Sequence, residues 1–124
     1  MGISADLRRL NQVFDALVEE KIPATMTARQ AEILNCVNNH GPCTQTTLVD
    51  HTSIDRSTMA IVVERMVNAG LLSRSRAPHD ARAWLVSVGP SGKPIMAAVR
   101  KAIRAAEREI EGRVASVSSI QQAA

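Results

Sequence analysis

Aromatic side chains are scarce in this chain: 124 residues include one phenylalanine, one tryptophan and no tyrosine. A core must therefore be aliphatic, and a hydrophobic content of 45% is enough to build one. Only two cysteines are present, Cys36 and Cys43. Two thiols make no disulfide framework, so the expectation is a cytoplasmic chain. No apolar run approaches the roughly 18 residues that span a bilayer, so no membrane partner is expected. The stretch from Met1 to Arg9 lacks the apolar centre of a signal peptide. There is no glycine-rich phosphate loop, no nucleophile elbow, and no carboxylate pair at useful spacing near a histidine. No catalytic residues, cofactor or metal site are expected, and an enzyme is not supported.

What is present is a modest positive charge, unevenly placed. The formal net charge is +3 and the sequence pI about 9.4, which permits nucleic acid without demanding it. Between Arg56 and Arg82, however, Arg56, Arg65, Arg74, Arg76 and Arg82 stand against only Glu64 and Asp80.

The chain reads as helices interrupted by one hairpin. Ser4 can cap a first helix to about Lys21, with Leu7, Leu10, Phe14 and Leu17 in one stripe. Thr27, with Gln30 three residues on, is a capping box for a second, buried through Ile33, Leu34 and Val37 and stopped by Gly41-Pro42. A third, short helix begins near Thr44 or Gln45 and uses Leu48 and Val49. Asp55 caps a fourth, running to Ala69 and stopped by Gly70, with Met59, Val62 and Met66 inward and Val63 or Val67 as further candidates. Two strands follow, Leu71 to Arg76 and Arg82 to Val88, joined through Pro78-His79-Asp80, with Trp84, Val86 and Val88 on one face. After the breaker cluster Gly89 to Pro94, a long helix runs from about Ile95 to Val117 or beyond. Met96, Ile103, Ile110 and Val117 recur every seven residues, and Val99, Ala106, Arg113 and Ile120 interleave with them in a coiled-coil-like seam in which Arg113 is the misfit.

Two short helices and a charged hairpin form a winged helix-turn-helix, so the expected class is mostly α with a small β-hairpin wing. The organisation expected is an N-terminal dimerisation helix (1–24), a DNA-binding domain (25–90) and a long C-terminal dimerisation helix (91–124). In such an element one helix enters the major groove of double-stranded DNA and the wing lies on the flanking backbone or minor groove. Ser57 and Thr58 can then reach base edges or phosphates, and Arg56 and Arg65 phosphates; for the two hydroxyls, ordinary helix-start chemistry is the plainer alternative. Gln45 and Thr46 can bond a phosphate from the start of the supporting helix, or simply cap it. Arg74 and Arg76 alternate onto one side of their strand, toward the DNA backbone or into solvent. Asp80 and Arg82 can pair across the turn, an ion pair worth at most about 1 kcal/mol if it is only that. Trp84 is expected at the wing base. Leu7, Leu10, Phe14, Leu17, Met96, Val99, Ile103, Ile110 and Val117 are too apolar for water, and packing between two copies is the expected use. Cys36-x3-His40-x2-Cys43, with His51, offers soft ligands at a spacing that matches no common zinc signature, so Cys36 reads as core.

Met26-Thr27-Ala28-Arg29-Gln30-Ala31-Glu32-Ile33-Leu34 resembles the second-helix opening of the MarR family of winged helix-turn-helix transcriptional regulators. Ile54-Asp55-Arg56-Ser57-Thr58, Ala69-Gly70-Leu71-Leu72 and the wing segment His79-Asp80-Ala81-Arg82-Ala83 continue the match, which covers roughly Thr27 to Arg104. The resemblance implies a homodimer on a pseudo-palindromic operator, joined through its first and last helices. It implies that Arg82 holds or inserts the wing and that Asp80 shapes it. It also implies release from DNA by a small molecule, often a phenolic or aromatic acid, or by an oxidant. Four departures stand out. Ile61 and Ala81 replace residues that are commonly basic, Gly89 replaces the usual Thr cap with Pro94 close behind, and the family usually continues into a further C-terminal helix. The function expected is a DNA-binding regulator, more a repressor than an activator. A winged-helix protein-interaction module, or a thiol-based redox sensor on the same fold, is the alternative.

Overall fold

A computed structural model describes residues 2–123, with side chains through residue 115. The order is α1 (Ile3–Glu19), α2 (Ala28–His40), α3 (Gln45–Thr52), α4 (Arg56–Asn68), β1 (Leu72–Ala77), β2 (Asp80–Val88), a 3-10 turn (Lys93–Ile95) and α5 (Met96–Ala123). The expected winged helix-turn-helix is present.

Local chemistry sets most helix starts. The Thr27 hydroxyl accepts from the Gln30 N–H at 3.1 Å, and the Gln30 side chain accepts from the Thr27 N–H at 3.1 Å, completing the capping box. Thr44 caps α3 by accepting from the Thr47 N–H at 3.2 Å, and Asp55 caps α4 by accepting from the Thr58 N–H at 3.0 Å. At α1 the expectation shifts: Gly2 is the cap and Ser4 lies inside the helix. Pro94 falls in the first turn of the 3-10 segment, where its missing N–H costs nothing. Gly70 ends α4 at φ +78°, a conformation that side chains resist.

β1 and β2 form an antiparallel hairpin with Arg76 opposite Trp84, Arg74 opposite Val86 and Leu72 opposite Val88, and a register shift at Arg76/Ala77. The wing is also tied to the loop before α3. The Cys43 N–H donates to the Val86 carbonyl at 3.0 Å, and the Val86 N–H donates to the Cys43 carbonyl at 2.7 Å. Sequence periodicity gave no sign of this bridge.

The core joins α1, α2, α3, α4, the wing base and α5 through Val18, Ile33, Leu34, Leu48, Met59, Val63, Met66, Leu72, Val86 and Val99. In α4 the inward line is Met59, Val63 and Met66; Val62 is only half-buried.

One expectation is corrected. Met96, Val99 and Ile103 were assigned to contact between two copies, but they are buried within this chain, with Ala102 and Ala106 beside them. Side chains already covered within one chain offer little surface to a second copy. Ile110 is half-buried, and Arg113 pairs with Glu109 at 3.2 Å on the exposed side of α5. The Val117 side chain lies outside the described residues. Leu7 is exposed, and Leu10, Phe14 and Leu17 are partly covered.

Candidate nucleic-acid interface

With one side of α4 in the core, Ser57, Ala60, Ile61, Glu64 and Arg65 point outward. Ile61 is the anomaly among them: an isoleucine left 53% exposed. At the start of α4, Asp55 accepts from the Ser57 hydroxyl at 2.7 Å as well as from the Thr58 N–H. Hydrogen bonding from the Thr58 side chain, then from the Ser57 hydroxyl and the Thr58 N–H, holds its carboxyl well below the usual carboxylate range, so it stays charged at the positive end of the helix. The Ser57 hydroxyl is thus spent as a donor, leaving its lone pairs to accept, and Thr58 is half-buried.

The two helix starts are linked. The Arg56 guanidinium donates to the Thr46 hydroxyl at 3.4 Å. Thr44, Gln45, Thr46, Arg56 and Trp84 line a shared cleft of about 270 Å³. Trp84 is therefore not at the wing base: it faces the start of α3 from the hairpin and is 42% exposed. The Arg76 guanidinium stacks 3.8 Å from the Trp84 ring centroid and donates to the Ala81 carbonyl at 2.9 Å. Arg76 thus braces the wing tip. Arg74 is half-buried, 6.0 Å from the same ring, with its Nε unpaired.

Arg82 is held differently. Its backbone N–H donates to Asp80 Oδ1 at 3.0 Å, but its Nε is 3.9 Å from that oxygen and its side chain is 98% exposed. Asp80 therefore shapes the backbone of the tip while the guanidinium projects freely. Arg65 lines a separate hollow with Asp15, Glu19 and Arg29. The structure thus gathers Gln45, Thr46, Arg56, Arg76 and Trp84, sets Arg82 beyond them at the tip, and leaves Arg65 apart.

The model of the MarR family matches residues 26–84. A probable transcriptional regulator from Pseudomonas aeruginosa is 35% identical in sequence and has TM-score 0.75, with coverage of 90% of this chain and 84% of that one. The chain belongs to the MarR family. BpsR of Bordetella bronchiseptica, described as regulated in DNA binding by 6-hydroxynicotinic acid, is 27% identical with TM-score 0.76, over 98% of this chain and 91% of that one. The transcriptional repressor NicR of Pseudomonas putida is 29% identical over 94 residues. That match takes in 75% of this chain, which spans only 60% of NicR's length.

Within this MarR-family fold a second cleft, of about 370 Å³, opens among α1, α2, α3 and α5. His40 and His51 stack there with ring centroids 4.0 Å apart and planes 22° from parallel. Eleven positions separate them on different helices; the sequence groups them only as candidate metal ligands, and packing is what stacks the rings. Cys36 and Cys43 are buried, and burial pushes both thiols up, the reverse of a reactive thiolate.

Glu32 also lines this cleft. Burial, then the nearby Asp15 carboxylate, raises it from its ordinary 4.5 to about 7. The unfolded chain releases this proton near 4.5 and the folded one holds it to about 7. Stability therefore falls as pH rises through that window, and the full cost is present above it. Glu32→Gln, which can still donate to Asp15, is expected to raise stability at pH 8 by about 1 kcal/mol, discounting for partial solvent contact, and by nothing at pH 4. Urea melts at the two pH values check this; an equal gain at both would rule out the ionisation as its source.

Proposed function

We propose that this chain is a cytoplasmic, homodimeric transcriptional repressor, not an enzyme, that binds a pseudo-palindromic double-stranded operator and is released by a small molecule. The observation that carries the reading is the cleft where the starts of α3 and α4 meet the wing, bridged by Arg56 and flanked by the free Arg82. A positive, concave edge next to an outward helix face suits a duplex. Residues 25–90 would hold the DNA. Ser57, Thr58 and Ile61 would face base edges, with Ile61 suited to a thymine methyl. Gln45, Thr46, Arg56 and Arg65 would take phosphates. Arg74 and Arg76 would hold the wing in place, and Arg82, on the tip that Asp80 shapes, would reach the flanking backbone or minor groove. Segments 1–24 and 91–124 would form the dimer through Leu7, Leu10, Phe14, Leu17 and Ile110, with the exposed Ile3 and Val114. The repressor NicR and the ligand-regulated BpsR support both DNA binding and effector release.

Trp84 is the sole tryptophan and reports directly on this surface. A duplex of the chain's own upstream region, titrated at two salt concentrations beside a scrambled duplex, is expected to change Trp84 emission. Binding should prefer the native sequence and weaken steeply with salt. Weak, equal binding to both duplexes at low salt would favour a protein-interaction module.

A further inference from the structure

The cleft among α1, α2, α3 and α5 has a wall chemistry of its own. Among the described residues its lining contains no lysine and no arginine. It does contain two carboxyl groups, Glu32 on α2 and Glu107 on α5, and three amides, Asn11, Asn35 and Asn39. Asn35 Oδ1 is buried with no hydrogen-bond partner. A buried acceptor left unmet is costly. The stacked His40–His51 rings give the cleft a flat element. Phe14, Ile103 and Cys36 supply the apolar part. At about 370 Å³ the space suits one small ring system with its substituents.

We infer that this cleft binds an uncharged, planar ligand rich in hydrogen-bond donors, of the aryl-amide or amino-substituted nitrogen-heterocycle class, and discriminates against aromatic carboxylates. The inference rests on the reading of the chain as an effector-released regulator, and it names the effector's chemistry. A ligand carboxylate here would face Glu107 and Glu32, and this chain's own lining of the cleft offers no guanidinium or ammonium to neutralise it. It would also bring acceptors to a site already supplied with them. An amide of the same shape removes the charge and adds two N–H donors, so charge and hydrogen bonding select in the same direction.

The test uses the full chain and two matched pairs of probes, nicotinamide against nicotinate and benzamide against benzoate, followed by calorimetry and thermal shift at pH 7.5. Each amide is expected to bind at least about tenfold tighter than its acid. Glu107→Arg, at an exposed helix position that should fold normally, is expected to shrink or invert that ratio. Acids that bind as tightly as amides would overturn the inference, as would failure of both amides to bind at millimolar concentration, or a ratio that Glu107→Arg leaves unchanged. A parallel arm measures release of a fluorescent duplex by the same probes. Amide selectivity in a protein that does not bind DNA would sink the regulator reading alone. DNA release by acids but not amides would sink the inference alone.

Discussion

Arg82→Ala is expected to weaken operator binding about tenfold or more and to flatten its salt dependence while leaving the fold intact. The side chain is 98% exposed and its nearest anion, Asp80, is 3.9 Å from Nε. An ion pair that loose and wet contributes little, so unfolding free energy should change by less than about 0.5 kcal/mol. Its backbone N–H, which forms the tight contact to Asp80 at 3.0 Å, survives in alanine, so the tip keeps its shape. What disappears is a free cation at the extremity of the wing. A dimer carries the loss twice, so the slope of log affinity against log salt should fall by about 2 if both guanidinium groups meet phosphate. Should they enter the minor groove instead, the variant would also lose preference for A·T-rich flanks. Arg76→Ala makes the contrast. It removes a guanidinium already held by the Trp84 ring and the Ala81 carbonyl, so its effect should come through a disordered wing, visible in Trp84 emission without DNA. Wild-type affinity and slope for Arg82→Ala, measured by fluorescence anisotropy, would remove this residue from the interface.

The features legible in the sequence are those decided within a few residues. Thr27 with Gln30, and Asp55 with the Thr58 N–H, are contacts over three positions, and both form as expected. The hairpin follows from alternation around a polar turn. Features that depend on which surface meets which were not legible. The stripe of Met96, Val99 and Ile103 says that α5 has an apolar side, but periodicity is identical whether the cover is a second copy or α1 of the same chain. The sequence leads one to expect Trp84 at the wing base. Only the register that sets it opposite Arg76, and the Cys43–Val86 bridge that draws the hairpin toward α3, put it at the cleft. The His40–His51 stack and the unpaired Asn35 Oδ1 need the packed helices to exist at all.

Gly89→Thr, which installs the residue common at this position in the MarR family, is expected to destabilise this chain by more than about 3 kcal/mol, against the usual gain from a helix cap. A Cβ on Gly89 would press into the Gly70 carbonyl oxygen and sit 2.8 Å from the Leu72 carbonyl carbon. These neighbours are backbone, and they are fixed. Gly89 N–H donates to the Leu71 carbonyl at 2.9 Å, Ser91 N–H to the Gly70 carbonyl at 2.9 Å, and Gly92 N–H to the Gly89 carbonyl at 3.0 Å. Relieving the clash would break that network. A loss of this size should lower the melting temperature by about 10 °C or more in a chain this long. Gly89→Ala carries the same Cβ without the hydroxyl and methyl beyond it, so the two variants should fall together if the Cβ contact is the cause; a mild Gly89→Ala beside a severe Gly89→Thr would point to those further atoms instead. The junction also bears on function. It is where the end of α4, the wing and the turn into α5 touch through main chain, so the proposed DNA-binding surface and the long helix cannot shift independently there. A variant that folds at low temperature with this contact loosened should therefore retain DNA affinity while losing its response to a ligand in the cleft, and retention of both would show that the coupling runs elsewhere.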